Sequence, residues 1–522
     1  MPAQTAEGAG GPADVEELDV LIIGAGLSGI NSAYRLRETF PDVRYAILER
    51  REVTGGTWSF WKFPGIRSDS TLALFGLPWH PWPHGTDFAS AELINEYIAD
   101  AAASQGIDKH IRLGHDVQDF SWSSEEQRWT LTVKVRAAGG QTVVRLFKAS
   151  WVFMCSGYYD YDSPRKAEIP GLDKFAGQVV HPQFWDPEKV NYRGKRVVIV
   201  GSGATAVTLF PSLAEEASHV TMLQRSPSYV LALPSRDSWT TRLRNWLGHD
   251  IGGRIDWWRR ILLEFLFVQF LLNFPNAGRR VITKEAKRRL PKDYPVDVHF
   301  NPRYNPFEQR LCFCPNADFF KALSQPNCEV VTATIETCDT YGIRLQPGQQ
   351  PNGEHNYKPP ARIDADIIVT ATGLHMQLLG GRVPIIDGVP HPVNERYVWR
   401  SCMLDGIPNA CAIMGYTAGT WTPGADVHVK TALKVMKQQR KLGATSVVPH
   451  IEPSEREQMP KLPVMPNNST YILEGNARMP MSAGRDPWRN GQNWWADSLA
   501  LWFRNVTTGL RYNVPAAKRK SI

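Results

Sequence analysis

The fold of this chain is decided by the stretch DVLIIGAGLSGINSAYRLRET, residues 19–39. An apolar strand runs into three glycines, Gly24, Gly26 and Gly29, and a helical pattern follows them. In a βαβ unit the first glycine permits a tight turn, the second lets the backbone approach a pyrophosphate, and the third allows close packing of helix on strand. The N-terminus of the helix then faces the phosphate charge. The stretch therefore predicts a dinucleotide site at this turn.

A carboxylate lies where a dinucleotide site of this kind needs one. Glu49 is at the end of the next strand, RYAILER, twenty residues after Gly29. A carboxylate at that spacing can bind a ribose 2′-hydroxyl. The alternative is a glycine-rich turn followed by an unrelated surface glutamate, and the flanking strand and helix favour the dinucleotide site over it.

The same unit is repeated in the stretch KRVVIVGSGATAVTLFPSLAEE, residues 195–216, where alanine replaces the third glycine as the pattern permits. The next strand, HVTMLQR, ends in Gln224 and Arg225, where the first unit has Glu49. An arginine can bind a ribose 2′-phosphate through two hydrogen bonds, which favours NADP(H) over NAD(H). Pairing of Arg225 with a local acid is the alternative. The expected contacts of this second cofactor are Gly201, Ser202, Gly203, Ala204, Thr205, Ala206, Gln224 and Arg225.

Composition excludes several other classes of protein. The chain has 522 residues, 43% of them hydrophobic, and a formal net charge of +7, so we expect several globular domains and no nucleic-acid partner. Its seven cysteines form no C-x-x-C pair and no zinc pattern with histidine. We therefore expect no metal site, no disulfide-reductase chemistry, and reduced thiols in the cytoplasm. Residues 1–16 lack a basic start and an apolar run, which predicts a disordered tail rather than a signal peptide.

One apolar segment has two interpretations. The run ILLEFLFVQFLLNF, residues 261–274, is too short to span a bilayer, and it follows Trp257, Trp258, Arg259 and Arg260. The first interpretation is a buried helix of an inserted subdomain. The second is an amphipathic helix that contacts a membrane surface or a partner through residues 257–274.

Two short patterns resemble the FAD-binding folds of the glutathione-reductase type. The first is GGT at Gly55, Gly56 and Thr57, soon after the acidic end of the second strand. The second is ATG at residues 371–373, after a strand that carries Asp366. The resemblance implies that the first dinucleotide is FAD rather than NAD.

Two longer patterns resemble the fingerprints of class B flavoprotein monooxygenases of the Baeyer–Villiger type (type I). GGTWSFWKFPGIRSD, residues 55–69, matches one of them. FAGQVVHPQFWDP lies between the two glycine units and matches the other through Phe175, Gly177, His181, Trp185 and Asp186. Stretches such as FPGIRSD, TMLQRSPSY and DPWRNGQN are most similar to the ethionamide-activating branch. Related N- and S-oxidising enzymes usually carry an aromatic residue and lysine at the Trp185–Asp186 position, which favours the Baeyer–Villiger side and leaves heteroatom oxidation as the alternative.

The resemblance also implies an activity. NADPH reduces FAD, O2 adds to give a C4a-peroxyflavin, and one oxygen atom is inserted next to a ketone carbonyl to give an ester or a lactone. Thioethers are oxidised to sulfoxides as a side reaction. Arg310, in RYNPFEQRLC, is implied to stabilise the anionic oxygen species, and Asp69 to hold Arg310 or the nicotinamide. His181 and Trp185 are implied to orient and pack the linker rather than to catalyse.

The fold class that these patterns predict is α/β, with two doubly wound Rossmann-like dinucleotide-binding domains of the disulfide-reductase type and an inserted helical subdomain. The implied FAD contacts are Gly24, Gly26, Ser28, Gly29, Glu49, Gly56, Thr57, Trp58, Asp69 and Val117, and Arg67 and Ser68 are implied to approach NADP. The expected division is an FAD-binding domain at 17–165 and 366–522, an NADP-binding domain at 166–228 and 320–365, and a helical insert at 229–319 that lines the substrate cleft.

Overall fold

The computed structural model describes residues 15–137, 139–309, 311–347, 357–417 and 419–515. Of the tail expected at residues 1–16, only Val15 and Glu16 lie within these ranges, and both belong to the first strand. The remainder of that predicted tail lies outside the described residues.

The first glycine unit is a parallel βαβ core with an antiparallel extension. Its elements in chain order are β1 (Val15–Ile23), α1 (Leu27–Thr39), β2 (Tyr45–Leu48), α2 (Thr57–Phe60), α3 (Leu72–Phe75), α4 (Ala91–Ser104), β3 (Ile111–Arg112), β4 (His115–Ser123), β5 (Arg128–Arg136) and β6 (Thr142–Met154). Strand β1 pairs in parallel with β2 and with β6. Strands β4, β5 and β6 form antiparallel pairs. The apolar end of β1 is buried without alternation, as a strand covered on both faces requires.

The second glycine unit repeats this arrangement with β7 (Gln178–Val180), β8 (Arg196–Val200), α5 (Ala204–Ala214) and β9 (His219–Gln224). Strand β8 pairs in parallel with β9. The turn from β8 into α5 lies at the carboxyl end of its strand, where open α/β sheets bind their ligands.

The inserted segment contains β10 (Tyr229–Leu233), α6 (Ser238–Asn273), α7 (Pro275–Arg289), α8 (Val296–His299), β11 (Leu311–Pro315) and α9 (Asp318–Leu323). Helix α6 is bent at Gly248, which has a φ of +79°, and α7 leaves α6 at an angle of 111°. Within 257–274 the chain buries Ile261 and Leu271 and exposes other apolar side chains. Among the described residues, no single helix combines the length and the apolarity needed to cross a bilayer.

The chain then returns to the second unit through β12 (Cys328–Thr332), β13 (Ile335–Asp339), β14 (Gly342–Leu345), β15 (Arg362–Asp364) and β16 (Ile367–Thr370). The second sheet has the parallel order β12-β9-β8-β16-β7. The expected division placed residues from 366 onward in the first unit. The structure corrects that boundary, because β16 lies between β8 and β7 and the second sheet therefore extends to Thr370.

The last part of the chain closes over the first unit. Its elements are β17 (Ile385–Ile386), β18 (Val389–Pro390), β19 (Val398–Trp399), β20 (Met403–Leu404), β21 (Ala410–Ala412), α10 (Trp421–Leu442), β22 (Ser446–Pro449), α11 (Pro453–Gln458), β23 (Leu462–Pro463), α12 (Thr470–Asn476), β24 (Met481–Ser482), α13 (Trp494–Phe503) and β25 (Leu510–Asn513). The larger sheet has the order β18-β17-β4-β5-β6-β1-β2-β3, and β21 also pairs with β6. A buried ion pair of 2.7 Å between Arg35 Nε and Asp426 Oδ1 joins α1 to α10.

Candidate functional site

The two glycine turns face one cavity of about 490 Å³. Gly24 and Gly26 of the first turn line it, as do Gly201 and Gly203 of the second. This volume lies within the range of small-molecule and cofactor sites, about 300–1,000 Å³. The two turns of the separate sheets therefore open into the same space, so ligands bound at them could meet.

The first turn is closed by contacts within the protein. Gly24 has a φ of +105°, and a Cβ there would lie 2.6 Å from the Cys155 carbonyl oxygen. A Cβ at Gly29 would overlap the carbonyl oxygen of Gly24, so only glycine lets α1 pack this closely on the turn. Gly29 is absent from the cavity wall, and its role is this packing.

Helix α1 begins at this turn with its first amide groups free of any side-chain cap. Its N-cap is Gly26, and no side chain accepts a hydrogen bond there. Free amide groups at a helix N-terminus carry partial positive charge and bind anions such as phosphate. The same holds for α5, whose N-cap is Gly203.

Glu49 lies at the end of β2, on the cavity wall, with 5% of its surface exposed. Its Oε2 accepts a hydrogen bond of 2.8 Å from the Ala25 amide, and its Oε1 accepts one of 3.0 Å from the Arg51 amide. An ionised carboxylate has further lone pairs beyond these two bonds. Glu49 is therefore held in place by backbone and can still accept hydrogen bonds from a ribose.

The GGT turn packs directly on the first glycine turn. The Gly55 amide donates to the Ala25 carbonyl oxygen at 3.1 Å, and Gly26 approaches the Gly56 Cα so closely that a Cβ on Gly26 would lie 3.4 Å from it. Thr57 shares a hydrogen bond of 2.7 Å with the Tyr161 hydroxyl, whose pKa is raised by burial. Gly56, Thr57 and Trp58 all line the cavity.

The second turn is more open than the first. Gly201 has a φ of +131°, and a Cβ there would overlap the Ala371 carbonyl oxygen of the ATG pattern. By contrast, a Cβ on Gly203 would have no neighbour within 4 Å. Ser202 shares a hydrogen bond of 2.8 Å with Ser228 at the start of the insert. Ala204 and Thr205 complete this part of the wall.

Three residues predicted to contact NADP lie away from the cavity wall. Ala206 is fully buried in the core, where its small side chain allows helix packing. Gln224 is buried, and its amide nitrogen donates to the His299 carbonyl oxygen and to the Thr332 hydroxyl, both at 2.9 Å. Gln224 therefore supports the end of β9 rather than the cavity wall. Ser68 is also buried and exchanges hydrogen bonds with the backbone of Ala89 instead of lining the cavity.

Arg225 lies at the edge of the cavity and keeps its charge available. Its guanidinium donates a long hydrogen bond of 3.4 Å to the hydroxyl of Thr470, a residue of the cavity wall. Within the described part of the chain Arg225 makes no ion pair with an acid, so the alternative of local pairing has no partner there.

A second guanidinium is fixed on the cavity wall. Arg67 Nη1 lies 2.6 Å from Asp318 Oδ2, and Asp318 is the first residue of α9. Burial raises the pKa of the Asp318 carboxyl, although the charge of Arg67 opposes this change. Asp69 lies on the same wall. The partner Asp318 gave no signal in the sequence, because it lies far along the chain from Arg67.

Arg310, the predicted catalytic cation, lies outside the described residues. The residues near it in the chain are informative all the same, since Gln309 and Cys312 both line the cavity. The position predicted for the catalytic arginine is therefore flanked in sequence by cavity-wall residues.

Aromatic side chains that the sequence did not single out complete the wall near the first turn. Trp421, the first residue of α10, donates from Nε1 to the Ser28 hydroxyl at 3.0 Å. Its ring stacks on Tyr158 with the centroids 5.4 Å apart. Both rings, Ser28 and Val117 line the cavity. Trp421 is the last residue of the stretch GYTAGTW, residues 415–421, which matches none of the patterns described above.

The linker motif joins the two units away from the cavity. His181 Nδ1 accepts from the Gln183 amide at 3.2 Å, and Gln183 donates from its side chain to the Asp160 carbonyl oxygen at 2.8 Å. Burial lowers the pKa of His181, which favours the neutral ring. Trp185 is buried in the core of the second unit. The other motif residues act in the same structural way: Phe175 packs in a core, Gly177 leaves no room for a Cβ beside Asp366, and Asp186 pairs with Lys189.

The cysteines are buried, and Cys155 and Cys312 line the cavity. Cys155 lines the cavity, but burial raises its pKa to about 12, so it stays a neutral thiol. Each of the seven cysteines, all within the described ranges, is buried, and none of them forms a disulfide. Among the described residues no group of His, Cys, Asp and Glu side chains could hold a metal ion.

Several known proteins that resemble this chain in sequence or in fold are monooxygenases. Residues 18–244 match the family model described as FMO-like, flavin-binding monooxygenase-like. The chain is 41% identical over 492 residues to the FAD-containing monooxygenase EthA of Mycolicibacterium smegmatis, covering 94% of this chain and 96% of that protein. Oxidized steroid monooxygenase bound to NADP shares the fold with a TM-score of 0.70 at 18% identity, over 96% of this chain and 100% of that one. Polycyclic ketone monooxygenase from Thermothelomyces thermophila does so with a TM-score of 0.72 at 16% identity, over 97% and 91%.

Proposed function

This chain belongs to the flavin-binding monooxygenase-like family, and from that premise we propose that it is an FAD-dependent, NADPH-consuming Baeyer–Villiger monooxygenase. In the proposed reaction one oxygen atom of O2 is inserted next to the carbonyl of a ketone to give an ester or a lactone, and thioethers are converted to sulfoxides as a side reaction. When bound, FAD that NADPH has reduced supplies the activation of O2.

The observation that carries this proposal is the shared cavity. Both glycine turns, and the uncapped N-termini of α1 and α5 that follow them, open into it. Two dinucleotides with their pyrophosphates at these termini would point their reactive rings into the same space, as hydride transfer from one to the other requires.

The residues at the first turn fit FAD. Gly24, Gly26 and Gly56 leave room for the pyrophosphate, and Glu49 can accept hydrogen bonds from the ribose of the adenosine half. Thr57, Trp58, Ser28 and Val117 would then lie along the rest of the cofactor. Trp421, which also lines the cavity, donates a hydrogen bond to the Ser28 hydroxyl.

The residues at the second turn fit NADPH. Gly203 has open space in front of its backbone, and Arg225 offers a guanidinium with no acidic partner in the described chain. A planar guanidinium suits a 2′-phosphate through two parallel hydrogen bonds. Arg67, held by Asp318, would contact the same cofactor nearer to the centre of the cavity.

Oxygen transfer to a ketone develops negative charge in a space that must exclude water. A permanently charged donor fixed there stabilises that charge. We propose Arg310 as this donor and Asp69 as the residue that positions Arg310 or the nicotinamide. The support is the place of Gln309, Cys312 and Asp69 on the cavity wall together with the family pattern around Arg310.

We propose the domain division that follows from these roles. The FAD-binding domain comprises residues 17–165 and the chain after β16, and the NADP-binding domain comprises 166–228 and 320–370. The insert at 229–319 supplies Tyr304, Gln309 and Cys312 to the shared cavity.

Products from one aliphatic ketone and one aryl thioether test the proposal. The FAD-reconstituted protein is given NADPH and each substrate, and esters, sulfoxides and hydrogen peroxide are quantified beside NADPH consumption. We expect ester from the ketone, with sulfoxide as a lesser product of the thioether. Sulfoxide or N-oxide formation without any ester from a panel of ketones would instead favour a heteroatom monooxygenase, the alternative that the linker residues Trp185 and Asp186 disfavour.

A further inference from the structure

Helix α6 carries an apolar stripe that faces solvent. Ile251, Ile255, Trp258, Leu262 and Leu266 are spaced by three or four residues, and each is between 44% and 60% exposed. At 3.6 residues per turn, such spacing places all five on one face of the helix. A stripe of this kind on a soluble protein marks an interaction surface.

Helix α13 extends the stripe into a broader surface. Trp258 contacts Trp494 and Trp495 of α13, with ring centroids 5.3 Å and 5.9 Å apart. Beyond this contact α13 exposes Leu499, Trp502 and Phe503, the last two by 78% and 81%. We name as the apolar surface the five α6 residues of the stripe together with Leu499, Trp502 and Phe503.

Positive charge is concentrated in the same part of the chain. Residues 238–290, which form α6 and α7, contain eleven Lys and Arg against four Asp and Glu. This excess of seven equals the formal net charge of +7 of the whole chain, so the rest of the sequence is balanced. On α7, Arg280 and Lys284 are exposed, whereas the exposed Lys287 and Arg288 pair with Asp297 and Glu285. The corner between α6 and α7 exposes Leu272 and Phe274.

The other side of α6 is anchored to the body of the protein. Arg260 lies 2.7 Å from Asp87, and Arg259 lies 2.6 Å from Asp237. Glu264 accepts hydrogen bonds from the amide and the hydroxyl of Thr420, at 3.1 Å and 2.7 Å. Thr420 immediately precedes Trp421 on the cavity wall. The stripe is therefore the outer face of a helix whose other face is held by these contacts.

We propose that the apolar surface docks on an anionic lipid bilayer. Exposed tryptophan and aliphatic side chains flanked by basic residues are the combination that binds at the headgroup boundary of such a bilayer. A protein partner would meet the apolar side chains but would not require the basic excess of α6 and α7. Helix α6 bears this surface on one side and contacts the start of α10, at the cavity wall, on the other. Docking therefore brings the cavity close to the membrane. Lipophilic substrates concentrate in the membrane.

Vesicle sedimentation tests this proposal on the full chain loaded with FAD. Vesicles of phosphatidylcholine alone are compared with vesicles of phosphatidylcholine and phosphatidylglycerol, at low and at high salt. We expect binding to the mixed vesicles that high salt weakens, because exposed charges are screened. Absence of binding to the mixed vesicles would overturn the proposal. The readout needs no turnover, so it stands or falls separately from the proposed ketone oxidation.

Two pairs of variants locate the binding surface. Trp502→Ser with Phe503→Ser should weaken the partition coefficient about tenfold or more, whereas Tyr341→Ser, at a residue 66% exposed in another part of the chain, should leave it unchanged. Arg280→Glu with Lys284→Glu should weaken binding by about fivefold per charge removed, against the matched control Lys109→Glu with Lys134→Glu. Wild-type affinity in both test variants would overturn the proposal. So would light scattering that shows a wild-type dimer converted to monomer by the α13 variant, since a second copy would then cover the surface.

Discussion

The two glycine turns have the same sequence logic but differ in how the protein surrounds them. The first is enclosed: Gly26 approaches Gly56 of a second glycine turn, and Glu49 is held by two backbone amides. The second is open: a Cβ on Gly203 would meet nothing within 4 Å, and Arg225 reaches only a long bond to Thr470. We infer that the first turn holds a resident cofactor and the second an exchanging one, which fits FAD and NADPH respectively.

The strongest contrast should come from adding the same methyl group to each turn. Gly29→Ala places a Cβ on the Gly24 carbonyl oxygen and should cost about 3 kcal/mol or more, since backbone must shift. We expect loss of bound FAD and a clear drop in melting temperature. Gly203→Ala, at the second glycine of the other turn, is the control and should fold and keep FAD, because its Cβ meets open space. Equal thermal stability and equal flavin content in the two variants would break the comparison.

A second variant separates catalysis from both binding turns. Arg310→Ala should retain FAD and its reduction by NADPH, but ester formation should fall by about 10²–10³ because the charge that develops in oxygen transfer loses its donor. NADPH oxidation should then yield hydrogen peroxide. Arg310→Lys, which keeps the charge without the planar fork, should recover part of the ester. Undiminished ester formation in Arg310→Ala would remove this residue from the mechanism.

A third variant sharpens the identity of the exchanging cofactor. Arg225→Ala should raise KM for NADPH by about tenfold to a hundredfold, the value of a hydrogen bond to a charged group, while KM for NADH stays the same. FAD content should not change. Steady-state kinetics with both nucleotides measures this, with Arg225→Lys as the control that keeps the charge. A parallel rise in both KM values would mean that Arg225 does not read the 2′-phosphate.

The last expected effect vanishes near neutral pH: it is a pH dependence at His299, where α8 of the insert packs on the second unit. Burial lowers the pKa of His299 to about 4, below the value of about 6.5 in an unfolded chain. The unfolded state therefore binds more protons between these values, and stability is lost as the pH falls from about 6.5 through about 4. The loss reaches about 3 kcal/mol at the lower end. Denaturant unfolding of wild type and His299→Gln should show a steeper decline with acid in the wild type, and parallel curves would contradict this.

Much of the first unit could be predicted from sequence because its signals are local. Gly24, Gly26 and Glu49 lie within one βαβ unit, so their spacing alone predicts how they meet. Contacts between distant parts of the chain had no such signal. Trp421 reaches Ser28 and Asp318 reaches Arg67 only because separate segments fold onto the same cavity.

In the second unit, too, contacts between segments distant in sequence could not be predicted. Strand β16 joins the second sheet, although its neighbour in sequence, the ATG pattern, had suggested the first unit. Gln224 follows the pattern position for a ribose contact, but the packing of α8 and β12 supplies partners that take its amide inward. Periodicity predicts whether a residue is buried or exposed. It does not predict whether a buried polar side chain will bind a ligand or a neighbouring strand.

The most direct test of a resident FAD beside an exchanging NADPH is anaerobic reduction after gel filtration. The holoenzyme is passed through the column without added cofactor, and the eluted protein is mixed with NADPH or with NADH in the absence of oxygen while flavin absorbance is followed. We expect FAD to elute with the protein and to be bleached much faster by NADPH than by NADH. Protein that elutes without flavin, or flavin that the two nucleotides reduce at the same rate, would contradict the account.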